Sequence, residues 1–153
     1  MARRGSHLEL YLHLVWGTFE RRPLIAKVIE PDLLRLIADK SQALGCLPCA
    51  VGATDDHVHL LARLHPSISV AQLIAQVKGV SSHAMNHQLA GDQPFRWQAG
   101  YGAFTTSADD VPAVERYVLD QRRHHAIGDR DVGPLGGAAE RECSASEGGL
   151  VLF

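Results

Sequence analysis

The sequence has few of the residues that would place it in several large protein classes. Only three of its 153 residues are cysteine, too few for the disulfide framework of a small secreted domain. No run approaches the roughly 20 apolar residues that a membrane-spanning helix needs. The basic N-terminal residues precede a segment interrupted by His7, Glu9 and His13, which is unlike a signal peptide. We therefore expect a cytoplasmic protein with reduced cysteines and no membrane partner.

A large excess of charge of either sign is also missing. The net charge is −2, so the chain lacks the strongly basic balance of many nucleic-acid-binding domains. The charge is unevenly distributed, however. Residues 129–153 hold five acidic and two basic side chains, which leaves 12 acidic and 13 basic ones in the first 128 residues. Composition alone therefore neither indicates nor excludes a nucleic-acid partner.

Hydrophobic residues make up 46% of the chain, enough for one domain with its own core. Periodicity and turn residues predict four strands, over residues 7–17, 46–53, 57–64 and 101–107. They predict helices over residues 29–44, 70–89 and from Ser107 to about residue 126. The first six elements have the β-α-β-β-α-β order of a ferredoxin-like α+β fold, an antiparallel sheet with two helices on one face. The last helix is an addition to that fold.

Residues 129–153 differ in composition from the rest of the chain. They are rich in Gly, Ala, Ser and charged residues and show no helical or strand periodicity. We therefore predict a domain over residues 1–128 and a poorly ordered tail over residues 129–153.

The stretch "DDHVHLLARL" holds two histidines separated by one residue. Side chains of a strand alternate between its two faces, so His57 and His59 are expected on the same face, about 6.6 Å apart along the strand. That span suits two nitrogens that bind one metal ion. A pair of structural strand histidines is the alternative.

The last predicted helix carries Tyr117 and Gln121, four residues apart. This spacing puts both side chains on one face of the helix, about 6 Å apart along its axis. The alternatives without a functional role are a surface tyrosine and a solvated glutamine. The segment "FRWQAGYGAFTTS" leads into the strand that precedes this helix.

Together these segments resemble the single-tyrosine HUH transposases of bacterial insertion sequences, including the IS200-like and REP-associated proteins. The HUH motif, two histidines around a bulky hydrophobic residue, corresponds to His57-Val58-His59. The resemblance extends in order through "HLVWGTFERRPLI", "QVKGVSSHAMN", "FRWQAGYGAFTTS" and "YVLDQRRHH". It covers roughly residues 7–126.

The resemblance implies a nucleophile and a metal site. Tyr117 is similar in position to the family nucleophile, and His57, His59 and Gln121 to the ligands of a divalent metal, Mg²⁺ or Mn²⁺. A tyrosine hydroxyl is a weak nucleophile at neutral pH until a metal or a base activates it. Attack on DNA would give a 5′-phosphotyrosine, which retains the phosphoester energy for rejoining. Asp56 either holds a ligand histidine by a hydrogen bond or caps the preceding turn.

The resemblance also implies partners: single-stranded DNA with hairpins near the ends of an element, and a second copy of the chain. In the family the dimer's active sites are shared between subunits, and whether the tyrosine acts in cis or in trans here stays open. Basic and hydroxyl side chains are the candidates for DNA contacts, with solvated surface residues as the alternative: Lys78, Ser81, Arg96, Arg122 and Arg123. Trp97 either stacks on a base or packs beside the site.

Other proteins with an H-x-H pattern fit less well. Histidine-triad hydrolases need a third alternate histidine, and residue 61 is leucine. Metal-dependent amidohydrolases need a barrel of about 250 residues, and this chain is too short. Cupins are all-β proteins, whereas three helices are predicted here. Two alternatives remain within the resemblance: a domesticated protein that binds hairpin DNA without moving it, and a nickase that acts on dispersed repeats.

Overall fold

The structure, a computed structural model, describes residues 5–89 and 93–121. Within these residues the chain forms four strands: β1 (Tyr11–Gly17), β2 (Leu47–Ala53), β3 (His57–Arg63) and β4 (Gly102–Thr106). Three α-helices accompany them: α1 (Glu30–Ala43), α2 (Val70–His87) and α3 (Val111–Leu119). Short 3-10 turns over Phe19–Arg21 and Ala108–Asp110 follow β1 and β4. No helix in the described part is both long and apolar enough to cross a membrane.

The four strands form one antiparallel sheet in the order β2-β3-β1-β4. The chain order β-α-β-β-α-β with this strand order is the predicted ferredoxin-like arrangement, and the added helix α3 follows β4. The fold prediction is therefore confirmed. The central pair, β1 and β3, is aligned so that Trp16 lies opposite Val58 and Val15 opposite His59.

The strand alternation divides the sheet into two faces. One face packs against α1 and α2 in the main core, which includes Leu14, Trp16, Val58, Leu60, Leu33, Ile37, Leu73 and Val77. The other face packs against α3, where Leu61 lies in a smaller cluster with Val114 and Val118. Because alternate residues of β3 are buried on opposite faces, His57 and His59 lie on the α3 side.

The ends of the first two helices follow from local sequence. Ser69 caps α2 in a capping box: its hydroxyl accepts from the Gln72 backbone N–H, and the Gln72 side chain accepts from the Ser69 N–H. Gly45, just after α1, has φ of 80°, a left-handed conformation that suits glycine at this position. Among the described residues, Cys46 is buried, Cys49 is partly buried, and the two do not form a disulfide.

The start of the last helix differs from the prediction. Ser107 precedes a 3-10 turn, and its hydroxyl donates to the Asp110 carboxylate instead of capping backbone N–H groups. The α-helix begins at Val111, where Pro112 occupies the first turn. The predicted continuation to residue 126 and the tail over residues 129–153 lie outside the described residues.

Candidate active site

The paired histidines lie on the face of the sheet that α3 covers. The ring centroids of His57 and His59 are 5.1 Å apart, with an angle of 64° between the ring planes. Each residue is 5% exposed. Their position on a central strand, paired on both sides, fixes the backbone that carries them.

Hydrogen bonds orient the His57 ring. Its Nδ1 lies 2.6 Å from Asp56 Oδ1 and 2.7 Å from Thr54 Oγ1. A carboxylate at Nδ1 favours the tautomer in which Nδ1 carries the proton and Nε2 carries the lone pair. Asp56 thus contacts both the predicted ligand His57 and Thr54 of the preceding turn, whose hydroxyl donates to Asp56 Oδ1 at 3.1 Å. It also contacts Arg21, whose Nε donates to Asp56 Oδ2 at 3.3 Å.

The same neighbours act on the Asp56 carboxyl. Burial by itself raises its pKa, but the hydrogen bond to His57 and the charge of Arg21 together bring the pKa well below its usual range. Asp56 is therefore a carboxylate throughout the neutral range, which keeps it available as an acceptor for His57.

His59 has a different partner, His13 of β1. His13 Nε2 lies 2.7 Å from His59 Nδ1, and the two rings stack at 5.0 Å with an angle of 26°. Burial lowers the pKa of His13 to about 4. The sequence prediction missed His13: the alternation of "YLHLVW" puts it on one face of β1, but only the strand register makes it a diagonal neighbour of His59.

Helix α3 brings Tyr117 to this cluster. The Tyr117 ring approaches His59 edge-on at 5.7 Å between centroids, and His13 at 6.1 Å. The histidine pair predicted on β3 and the tyrosine predicted on the last helix are thus brought together within one chain.

Gln121 lies beside Gly52, the β2 residue that pairs with His59, and one of its polar atoms has no partner among the described residues. The side chain is 1% exposed, and its Nε2 donates to the Tyr117 carbonyl at 2.9 Å. Its Oε1 is buried and accepts no hydrogen bond from the described residues. A buried amide oxygen without a partner is uncommon and costs free energy.

Gly52 of β2 permits this arrangement. A Cβ atom added there would lie 1.9 Å from the Val118 carbonyl oxygen and 3.4 Å from Gln121 Cγ. The end of α3 therefore rests directly on the backbone of β2, which sets the depth at which Tyr117 and Gln121 sit. Nothing in the sequence pattern identified Gly52 as part of the site.

The residues present fit a divalent cation. Two imidazoles and an amide oxygen are ligands that such ions accept, and the Gln121 oxygen lacks a protein partner in the described region. No cluster of three His, Cys, Asp or Glu side chains suited to a metal occurs in residues 5–89 and 93–121. Within these described residues, a third protein ligand beside the two histidines would be of another type, as Gln121 is.

Two predicted DNA contacts form hydrogen bonds within the protein, Lys78 at a partly buried position and Ser81 in the core. Lys78 Nζ donates to the carbonyls of Gln98 and Gly100 at 2.8 and 2.7 Å, and burial lowers its pKa. Ser81 is fully buried, donates to the Val77 carbonyl, and accepts from the indole N–H of Trp97 at 3.0 Å. Ser81 therefore has a packing role in this structure, because DNA cannot reach its hydroxyl.

Arg96 is exposed and belongs to a basic surface. Its guanidinium lies 4.5 Å from the centroid of the Phe19 ring, and that of Arg22 lies 5.7 Å from the same ring. A groove of about 340 Å³ runs beside Arg96, between α2 and residues 95–98. Trp97, 7% exposed, packs edge-on against Trp16, which favours the packing alternative. Arg122 and Arg123 lie outside the described residues.

Comparison with known proteins places this architecture. Among solved structures, a candidate transposase from Deinococcus radiodurans R1 has a TM-score of 0.62 at 23% identity, covering 77% of this chain and 95% of that one. A REP-associated tyrosine transposase bound to a REP hairpin has a TM-score of 0.58 at 13% identity, covering 93% and 87%. The fold is thus that of the tyrosine transposases.

Comparison with sequence families assigns the chain to a family. The family described as "Transposase IS200 like" matches residues 6–121. The chain belongs to the IS200-like transposase family. No curated protein matches the chain.

Proposed function

We propose that the protein is a metal-dependent DNA strand transferase that cleaves and rejoins single-stranded DNA at hairpin-bearing element ends. The observation that carries this proposal is the meeting of four side chains on one face of the sheet. Tyr117 lies against His59 beside His57, and Gln121 lies beside Gly52, the β2 residue that pairs with His59, with a buried oxygen that has no partner among the described residues. This is the combination of nucleophile and neutral metal ligands that phosphodiester cleavage needs.

The assigned roles follow from the chemistry of each group. The Tyr117 hydroxyl attacks the phosphorus, loses its proton, and forms a 5′-phosphotyrosine as the bond to the 3′-oxygen breaks. A 3′-hydroxyl later attacks the same phosphorus and releases the tyrosine, so no external energy source is needed. His57, His59 and Gln121 would hold Mg²⁺ or Mn²⁺, which when bound supplies charge neutralisation and orientation at the phosphate. Asp56 and Thr54 hold His57 in the tautomer suited to this role.

The proposed substrate is single-stranded DNA that carries hairpins. One structural neighbour is described as bound to a REP hairpin, which supports the substrate class by analogy of fold. The exposed Arg96 guanidinium beside Phe19 supplies positive charge and an aromatic ring, features suited to phosphates and bases, whereas the neighbouring Arg22 is paired with Glu20 at 2.9 Å. The proposed assembly is a homodimer with active sites shared between subunits.

The test uses labelled single-stranded oligonucleotides from both strands of the flanks of the protein's own gene. Each is incubated with protein in Mn²⁺ or EDTA and separated in SDS. We expect a covalent protein–DNA band that requires Mn²⁺, disappears in Tyr117→Phe and persists in Tyr101→Phe, the matched control. Hairpin binding without an adduct in any divalent metal would overturn the enzyme proposal and leave a domesticated DNA-binding protein. Oligonucleotides from dispersed repeats are tested in parallel, and an adduct formed with them but not with flanking DNA would indicate a nickase.

A further inference from the structure

The two histidines of the proposed metal site are supported in different ways. Nδ1 of His57 faces the Asp56 carboxylate and the Thr54 hydroxyl at 2.6 and 2.7 Å, with the Arg21 guanidinium further away at 3.3 Å. Nδ1 of His59 faces another imidazole, Nε2 of His13, at 2.7 Å. A carboxylate can only accept a hydrogen bond from an imidazole N–H, whereas a neutral imidazole can either donate or accept. In the contact between His13 and His59, either ring can therefore be the donor, depending on the tautomers.

The direction decides whether His59 is a ligand. A neutral imidazole has one N–H and one lone pair. If His13 Nε2–H donates, Nδ1 of His59 uses its lone pair to accept that hydrogen bond. The proton of His59 then lies on its own Nε2, so neither nitrogen of His59 offers a lone pair to a metal. If His59 Nδ1–H donates to His13, the lone pair of His59 lies on Nε2. Only the second arrangement is compatible with metal binding through His59.

We propose that His13 is a positioning residue that accepts a hydrogen bond from His59 Nδ1–H and so directs the His59 Nε2 lone pair toward the metal. This inference rests on the proposed function, since it assigns a role toward the same metal. His13 would do for His59 what Asp56 does for His57. It is a neutral counterpart to that carboxylate, supplied by the neighbouring strand β1.

The packing around His13 fixes the position of its Nε2. Its ring stacks on His59, with Phe104 of β4 at 6.2 Å and the edge of Tyr117 at 6.1 Å between centroids. Its backbone lies in a central strand that pairs with both β3 and β4. The acceptor is thus held by the fold before any metal binds, which limits the reorganisation needed for binding.

Two measurements test the proposal. The first is the ¹⁵N chemical-shift pattern of the histidine side chains in the metal-free wild-type protein, which identifies the tautomer of each ring. We expect His59 to carry its proton on Nδ1 and His13 to carry none on Nε2. A proton on Nε2 of His59 would overturn the proposal. This measurement gives its answer whether or not the protein binds a metal.

The second measurement is Mn²⁺ affinity, followed by electron paramagnetic resonance of the free ion. His13→Phe keeps a ring beside Phe104 but removes the acceptor, so we expect affinity to fall about 10- to 100-fold. His13→Gln, whose amide oxygen can accept from Nδ1–H, should recover most of that loss. Hairpin binding in EDTA should be the same for both variants and wild type.

The controls separate this inference from the proposed function. If wild type binds Mn²⁺, His57→Ala abolishes binding, and a folded His13→Phe binds like wild type, the role of His13 is refuted while the metal site stands. If wild type binds no Mn²⁺, the metal-dependent function fails, and the tautomer pattern still decides the direction of the hydrogen bond. If His13→Phe does not fold, as judged by circular dichroism, His13→Leu against His13→Gln gives the same comparison.

Discussion

At the scale of single residues, Gln121 is the side chain whose surroundings most call for a further partner. Its amide nitrogen donates to the Tyr117 carbonyl in the last turn of α3, while its buried oxygen has no donor among the described residues. An unpaired buried acceptor costs about 1–3 kcal/mol. A cation that binds to it would remove this cost, so metal binding should stabilise the fold.

Replacing Gln121 by glutamate should therefore have opposite effects with and without metal. In EDTA we expect Gln121→Glu to be less stable than wild type, because a buried carboxylate is costly without a counter-charge. In millimolar Mn²⁺ it should gain more melting temperature than wild type, because hard cations prefer carboxylate oxygen. Thermal unfolding in the two buffers measures both effects. Gln121→Leu is the control and should lose the metal-induced increase; an equal increase in all three proteins would contradict the assigned ligand.

Asp56 predicts a dependence of stability on pH. Its pKa is lower in the folded protein than in the unfolded chain, where it is about 3.9. It therefore stabilises the fold above that value, and the contribution is lost as pH falls below about 4. In EDTA, urea unfolding should show a steeper loss of stability on acidification for wild type than for Asp56→Asn. Parallel curves for the two proteins would contradict the role of Asp56 as a paired carboxylate.

At the scale of elements, the sequence indicated most of the fold and the residues His57, His59 and Tyr117 that the structure brings together. Alternation and helical spacing are local properties, so they located the four strands, the first two helices and the face shared by His57 and His59. His13 could not be found this way, because its contact with His59 depends on which residues of β1 and β3 lie opposite each other. Ser81 is a candidate phosphate contact in the sequence, with a solvated side chain as the alternative, yet its hydroxyl is satisfied by Val77 and Trp97 inside the core.

The lack of a side chain at Gly52 sets the position of α3 against β2. Alanine at residue 52 would force the Val118 carbonyl, and with it the end of α3, away from β2. We expect Gly52→Ala to lose about 1–3 kcal/mol of stability and most of its covalent adduct, since Tyr117 and Gln121 both move. Hairpin binding in EDTA should persist.

The matched control for Gly52→Ala is Gly79→Ala. Gly79 lies on the exposed side of α2, where an added Cβ meets no atom within 4 Å. Alanine there should raise helix stability by up to about 1 kcal/mol and leave the adduct unchanged. Equilibrium urea unfolding and the SDS-resistant band measure the two effects. Full adduct yield in Gly52→Ala would show that the close approach of α3 to β2 does not position the site.

At the scale of the whole molecule, the near-zero net charge makes the location of positive charge decisive. Arg22 and Arg96 both lie close to the Phe19 ring, and Arg21 contacts Asp56 of the candidate site. If this surface contacts phosphates, Arg96→Ala should weaken hairpin binding at every sequence and reduce the slope of log affinity against log salt by about 1. Fluorescence anisotropy over a salt series measures both. Arg35→Ala, at an exposed position of α1, is the control and should leave the slope unchanged.

The sharing of active sites between subunits is the last property to test, and two inactive variants are enough. In the structure α3 covers the histidines of its own chain, joined to β4 by the short segment 107–110. A partner's α3 could make the same contacts, because an exchanged element meets an identical surface. Tyr117→Phe and His57→Ala should each give no adduct alone. After subunit exchange their mixture should recover about a quarter of the wild-type yield, since half of the dimers then hold one complete site. A mixture that stays inactive, although both proteins fold and bind hairpins, would mean that each chain completes its own site.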